Sequence, residues 1–258
     1  SLREDVDIYL TGSNAYMLSG ELATLLSGRY VEIRMLPLCF REYYEMVGGD
    51  ESAAFHRYLQ KGGFPYAATV GDDWVRREYL RGIYNTVVLK DVVERKRVSD
   101  VPMLEAVVRF FLDNIGNIVS VKKIADSLTS DGRKTTSVTV DSYIQAFKDA
   151  FLLYEAQRYD VKGRQYLKSL EKYYVVDLGL RSLLLGERTR DLGHLLENIV
   201  YLELIRRGYQ VSIGKVGTLE VDFIAEKGGE KIYYQVAATI LDSAAYDRKF
   251  ASLKAIPD

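Results

Sequence analysis

The first strand-like run, "VDIYLTGSN", carries apolar residues at short intervals and turns polar at Thr11-Gly12. Leu22, Leu25 and Leu26 then recur at helical spacing before Gly28, a residue suited to stopping a helix. "RYVEIRML" alternates and is rich in β-branched residues, which predicts a second strand closed by Pro37. A further helix is expected from about Arg41. One strand, helix and strand cannot make a stable sheet alone. The unit must pair with later segments or belong to a larger domain.

Residues 52–97 read as helical except at the break "GGFP", Gly62 to Pro65, with Leu80, Ile83 and Val92 at helical intervals. The charged run "KDVVERKRVSD" near its end reads as a solvated helix face. From Val101 three helices are expected: "MLEAVVRFFLDNIG", "SVKKIADSL" behind the cap Ser120, and "TVDSYIQAFKDAFLL". Two strands, "YEAQRYD" and "EKYYVVD", follow. Three helices and then a hairpin is the order of a winged helix. From Glu187 the helix "LGHLLENIVYLELIRRG" shows an apolar face of Leu195, Ile199, Leu202 and Leu204 or Ile205, and Gly208 stands where a C-cap glycine would. Three strands come next, "YQVSIGKV", "LEVDFIAEK" and "KIYYQVAATI", and a last helix from about Ser243. The fold class expected is α/β and multidomain.

Composition narrows this picture. In 258 residues, 48% are apolar and 28% charged, ordinary for a soluble globular protein. No apolar run approaches the roughly 18 to 20 residues that cross a bilayer. The start, "SLREDVDIYLTG", is acidic where a secretory signal would be basic. One cysteine and two histidines exclude an internal disulfide and a multi-cysteine zinc site. A cytoplasmic protein without membrane partners is expected. The net charge of −1 argues against coating nucleic acid through bulk charge, so any such contact needs a local patch. The hairpin "QRYDVKGRQYLKSLEK" supplies one: Arg158, Lys162, Arg164 and Lys168 are the candidate DNA-binding residues. The third helix suits DNA poorly, because Asp141 and Asp149 outweigh Lys148.

In the last unit, Glu197 on a helix, Asp222 on a strand and Gln235 on the next strand resemble the PD-(D/E)XK nuclease core. The resemblance implies that the helical Glu, the strand Asp and a Glu at the third position bind Mg²⁺, and that a Lys two residues later stabilises the attacked phosphate. Residues i and i+2 share a strand face, so the spacing is sensible. Here the last pair reads Gln235 and Ala237. The implied catalytic set is therefore Glu197, Asp222 and a degenerate Gln235, with Glu197 and Asp222 as weak Mg²⁺ ligands. Lys215 or Lys231 are candidates to replace the missing cation. His194, one helical turn before Glu197, pairs with it only as an isolated surface couple. The 20 tyrosines read mainly as half-buried strand aromatics.

Four blocks, "YLTGSNAYMLSGELATLLSGRYVEIRMLPLCFREYYE", "YLRGIYNTVVLKDVVER", "LEKYYVVDLGLRSLLLG" and "LLENIVYLELIRRGYQVSIGKVGTLEVDFIAE", are similar to the prokaryotic AAA+-type ATPases that end in a PD-(D/E)XK-like domain of unknown function. The resemblance covers nearly the whole chain. It implies an ATPase remnant over 1–46, a helical extension over 47–100, a winged helix over 101–186 and an incomplete nuclease-like domain over 187–258. It also implies a sensor role for Asn14 and an arginine-finger role for Arg29. ATP and Mg²⁺ are the family's cofactors, but no stretch fits G-x-x-x-x-G-K-[ST], so none is expected to act in this chain. Ser1 would then lie inside the ATPase domain, as in a fragment. The expected function is that of a DNA-associated or partner-binding portion of such an ATPase, without ATPase activity and with a degenerate nuclease-like domain. Its rivals are an active Mg²⁺-dependent DNA nuclease and a purely protein-binding scaffold contacting other subunits.

Overall fold

The computed structural model describes residues 6–12, 28–167, 170–187, 191–238 and 243–256. Residues 6–12 and 30–36 run without strand pairing, and the apolar side chains of 6–10 and 30–35 face solvent: Ile8 is 79% exposed, Val31 87% and Met35 89%. The expected strands are thus not formed. Their alternating pattern is present, but among the described residues nothing offers them a ladder, and a strand without one loses its main stabilisation. Leu38 is tied to the helices: its N–H donates to Gly63 O at 2.8 Å and its carbonyl accepts from the Tyr58 hydroxyl at 2.9 Å.

Helix α1 (Phe40–Val47) opens with Glu42 reaching back to the Cys39 amide at 2.8 Å. Helices α2 (Glu51–Lys61), α3 (Pro65–Thr69) and α4 (Asp73–Ile83) follow, and a π-helical stretch, Tyr84–Lys90, leads into α5 (Asp91–Lys96). Asp50 and Asp72 cap α2 and α4 by accepting from Ala53 N and Val75 N. Helix α6 (Val101–Asp113), capped by Asp100, strand β1 (Ile118–Val119), helix α7 (Val121–Ser130) and helix α8 (Ser137–Asp149), capped by Thr136, enclose the main core. Leu104, Val107, Phe111, Ile124, Ile144 and Phe147 fill it.

The chain is mixed α/β with two sheets. Strand β2 (Leu153–Ala156), strand β5 (Glu171–Val175) and β1 form the first, in the order β1-β5-β2 and wholly antiparallel. The second runs β4-β3-β6-β7-β8, from β3 (Arg158–Asp160), β4 (Gln165–Tyr166), β6 (Gln210–Val216), β7 (Leu219–Lys227) and β8 (Glu230–Tyr234). "YEAQRYD", expected as one arm of a single hairpin, divides at Gln157. Its first half pairs with β5, and its second half pairs in parallel with β6. The basic hairpin is therefore the edge of the second sheet. Helix α9 (Leu178–Leu185) follows β5, helix α10 (Leu192–Arg206) packs on the second sheet, and α11 (Ser243–Lys254) covers its other face through Leu253. Gly208 adopts φ +79° just past α10, the conformation its stop position requires.

Strand β5 alternates in a way that decides the site. Tyr173 and Val175 point into the helical core, where Tyr173 meets Phe111 edge-on with ring centroids 4.9 Å apart. Lys172 and Tyr174 point the other way, towards α10 and β7. There Tyr174 stacks on Tyr201 at 4.3 Å and leans on Phe223.

Candidate functional site

Helix α10 buries two polar side chains on its inner face, Glu197 and Asn198, among Leu195, Tyr201 and Leu204. Such groups are costly to bury unless satisfied, and both are. The Asn198 amide accepts from Val175 N at 2.8 Å and donates to Val175 O at 2.9 Å, joining helix to strand through one residue. Glu197 Oε1 accepts from Lys172 Nζ at 2.9 Å and from the Tyr174 hydroxyl at 2.6 Å. Lys172 Nζ also lies 2.7 Å from Glu220 Oε1 on β7. Gly116 lines the same place: a Cβ there would stand 3.1 Å from His194 Nδ1 and 3.4 Å from the Glu197 carboxyl. His194 and Glu197 thus border one glycine.

The electrostatics follow from burial and pairing. Burial pushes the Glu197 carboxyl upward, while Lys172 and the Tyr174 hydroxyl pull against it. For Lys172, burial works against the charge, and Glu197 and Glu220 together outweigh it, so the ammonium is held protonated. Burial, aided by the Glu197 charge, drives the Tyr174 phenol well above its ordinary range, leaving it a hydrogen-bond donor.

Asp222 sits on β7, also buried, and its Oδ2 accepts from Val236 N at 2.7 Å. Its charge reaches Glu197, raising that carboxyl further. Gln235 lies one residue past the end of β8 rather than within it. Its Oε1 accepts from Asp222 N at 3.3 Å and from the Ser252 hydroxyl of α11 at 3.2 Å. Asp222 and Gln235 are thus in contact, while Glu197 feels Asp222 through its charge. Among the described residues no three His, Cys, Asp or Glu side chains are grouped to hold an ion. Mg²⁺ demands near-octahedral oxygen ligands and sheds water reluctantly. A carboxylate oxygen already taking an ammonium and a phenol, beside a neutral amide committed to backbone and serine, does not fit that demand.

Neither candidate replacement lysine reaches the carboxylates. Lys215 stands opposite Glu220 in the β6–β7 ladder, and Lys231 lies 4.5 Å over the Tyr159 ring and 3.4 Å from Glu226. The cation arrives from β5 instead. The signal for it is the "EKYYV" pattern, where a lysine shares a face with a tyrosine inside an apolar strand.

In the basic hairpin, Asp160 Oδ1 accepts from Lys162 N and Gly163 N, both at 3.1 Å, tightening the tip. Lys162 and Arg164 are exposed there. Arg158 is half-buried, and its Nε is enclosed without a hydrogen-bond partner. Arg29 is exposed in a turn. Asn14 and Lys168 lie outside the described residues. A separate cavity of ≈ 260 Å³ opens where Pro37, Cys39 and Gly63 face Asp177 and Arg206.

Residues 52–191 match the domain of unknown function DUF8612, and residues 1–44 match an AAA domain. An uncharacterized protein of Haemophilus influenzae is 43% identical over 241 residues, covering 92% of this chain and 60% of that protein. Uncharacterized protein MJ1544 of Methanocaldococcus jannaschii is 30% identical over 234 residues, covering 84% of this chain and 52% of its own length. The chain therefore spans little more than half the length of these curated relatives. No solved structure matches it.

Proposed function

The chain belongs to the DUF8612 family, and from that premise we propose that it is a DNA-associated, non-catalytic portion of a prokaryotic AAA+-type ATPase. In this reading residues 1–46 are an ATPase remnant, 47–100 a helical extension, 101–186 a winged helix, and 187–258 a PD-(D/E)XK-like unit that has lost its metal chemistry. The AAA match over 1–44 supports the first assignment. Three helices followed by β2 and β5 support the winged helix, and the succession α10, β6, β7, β8 supports the nuclease-like unit.

The observation that carries the non-catalytic part is the engagement of Glu197 by Lys172 and Tyr174. A metal ligand must offer its lone pairs to the ion, and this oxygen offers them to two donors of its own protein. Gln235 removes one anionic ligand and Ala237 the expected cation. Losing one such preorganised group costs on the order of 10²- to 10³-fold in rate. The rival nuclease would need Lys172 to serve the scissile phosphate. Its side chain is only 4% exposed and bound to two carboxylates, which disfavours that role. Partner binding is supported by the exposed apolar residues of 6–10 and 30–35, which suit pairing with the remainder of an ATPase core.

The test is purified protein with Mg²⁺ or Mn²⁺ on duplex, single-stranded and branched DNA, beside Asp222→Ala. No cleavage above the variant's background is expected. Cleavage that Asp222→Ala abolishes would overturn the non-catalytic reading.

A further inference from the structure

Lys172 gathers three elements around one positive charge. It rises from β5 of the first sheet, meets Glu197 of α10 at 2.9 Å and meets Glu220 of β7 in the second sheet at 2.7 Å. Its side chain is almost wholly enclosed, as is that of Glu197. The two carboxylates thus converge on a single point, which a cation must fill. Without one, the buried Glu197 and the half-buried Glu220 would repel each other, and Glu197 would lose its hydration uncompensated. The ammonium fills it with the added donor of Tyr174 alongside.

We propose that Lys172 is the resident cation of this site, standing between Glu197 and Glu220 in place of a divalent ion, and that it fastens the first sheet to α10 and the second sheet. The inference deepens the non-catalytic reading of the same site and rests on it: the acidic groups persist because they hold a lysine. Ion binding should change accordingly. With the ammonium removed, Glu197 and Glu220 present two carboxylates to the point it occupied. Ca²⁺ suits that pair of carboxylates better than Mg²⁺, because its ligand distances of about 2.3–2.6 Å and irregular geometry come nearer to what the ammonium leaves behind.

The experiment compares the full chain with Lys172→Met, which keeps the length of the side chain without its charge. In EDTA the variant is expected to melt lower than the parent by on the order of 10 °C. Millimolar Ca²⁺ should recover much of that loss and Mg²⁺ less, while the parent's melting stays unmoved by either ion. Should Lys172→Met fail to fold, the double variant Lys172→Met/Glu197→Gln, which removes one of the stranded charges, is expected to fold without Ca²⁺. A variant as stable as the parent in EDTA would overturn the proposal. So would a folded variant indifferent to Ca²⁺, a double variant no better than an unfolded single one, or Ca²⁺ stabilisation of the parent that Glu197→Gln abolishes. None of these readouts contains DNA, so their failure and the appearance of cleavage are separate results.

Discussion

Asp177 shows how far a single residue can organise this chain. Its carboxylate is enclosed and caps α9, with Oδ1 accepting from Gly179 N at 2.8 Å and Leu180 N at 3.2 Å. Its Oδ2 accepts from Gly63 N at 2.6 Å, which ties the "GGFP" turn to the end of β5. Only glycine fits on either side: a Cβ on Gly62 would stand 2.1 Å from Asp177 Oδ1, and one on Gly179 2.3 Å from Lys61 O. Burial pushes this carboxyl up to about 6, with the backbone donors pulling the other way. A carboxyl raised in the folded state takes up its proton earlier than in the unfolded chain. Its stabilising contribution is complete below about pH 4 and lost as the pH rises through about 6. Neighbouring Tyr58 and Tyr79, both raised, stay neutral across that window. Asp177→Asn should therefore flatten the stability–pH curve there, the parent losing on the order of 2–3 kcal/mol relative to the variant between pH 4 and pH 7. Paired urea titrations across that range measure the difference, and parallel curves would refute the assignment. Glu197 and Asp222 stood out in the sequence only through the resemblance to a nuclease core. Asp177 and Lys172 did not, since their partners lie far away in sequence, at Gly63 and at Glu220.

Among elements, the docking of α10 on β5 depends on Asn198. Beyond the reach of β1, the free side of β5 exposes the N–H and C=O of Val175, and the Asn198 amide takes both as a neighbouring strand would. Asn198→Ala strands both groups in a buried place. At about 1–3 kcal/mol for each unsatisfied group, a loss on the order of 2–5 kcal/mol is expected. Chemical denaturation reads it, and faster exchange of the Val175 amide reports the same break locally. A variant within about 0.5 kcal/mol of the parent would show that water or a shifted strand replaces the amide. Helix stops such as Gly62 and Gly208 were readable locally, but the expected cap Ser120 makes no side-chain capping bond, and the caps Asp72, Asp100 and Thr136 were not picked out. Strand partnership was not readable either. Nothing in "YEAQRYD" marks Gln157 as the point where one sheet yields to another, because strand pairing is decided by tertiary contacts rather than by the run itself. Position 235 misled similarly: the pattern continues through it, while the ladder of β8 stops at Tyr234.

At the scale of the whole molecule, a net charge of −1 leaves DNA association to local geometry. The hairpin tip offers Lys162 and Arg164 to solvent, whereas Arg158 is half-buried in β3. If the tip meets phosphates, Lys162→Ala/Arg164→Ala should flatten the log–log salt dependence of DNA binding by about 0.9 for each phosphate no longer neutralised. An unchanged slope would move the DNA surface elsewhere. The mixed α/β character was legible from the order of elements, but the unpaired state of 30–36 was not, because alternation reports what a strand needs and not whether a neighbour supplies it. The strand that crosses at Gln157 bears on inheritance. Residues 187–256 look like a portable module, yet β3 fills the edge of β6 and comes from earlier in the chain. A recombination event that moved only the later stretch would deliver a sheet with a bare, sticky margin. Shuffling at that seam is penalised, and the smallest heritable unit that carries the second sheet intact begins upstream of Arg158.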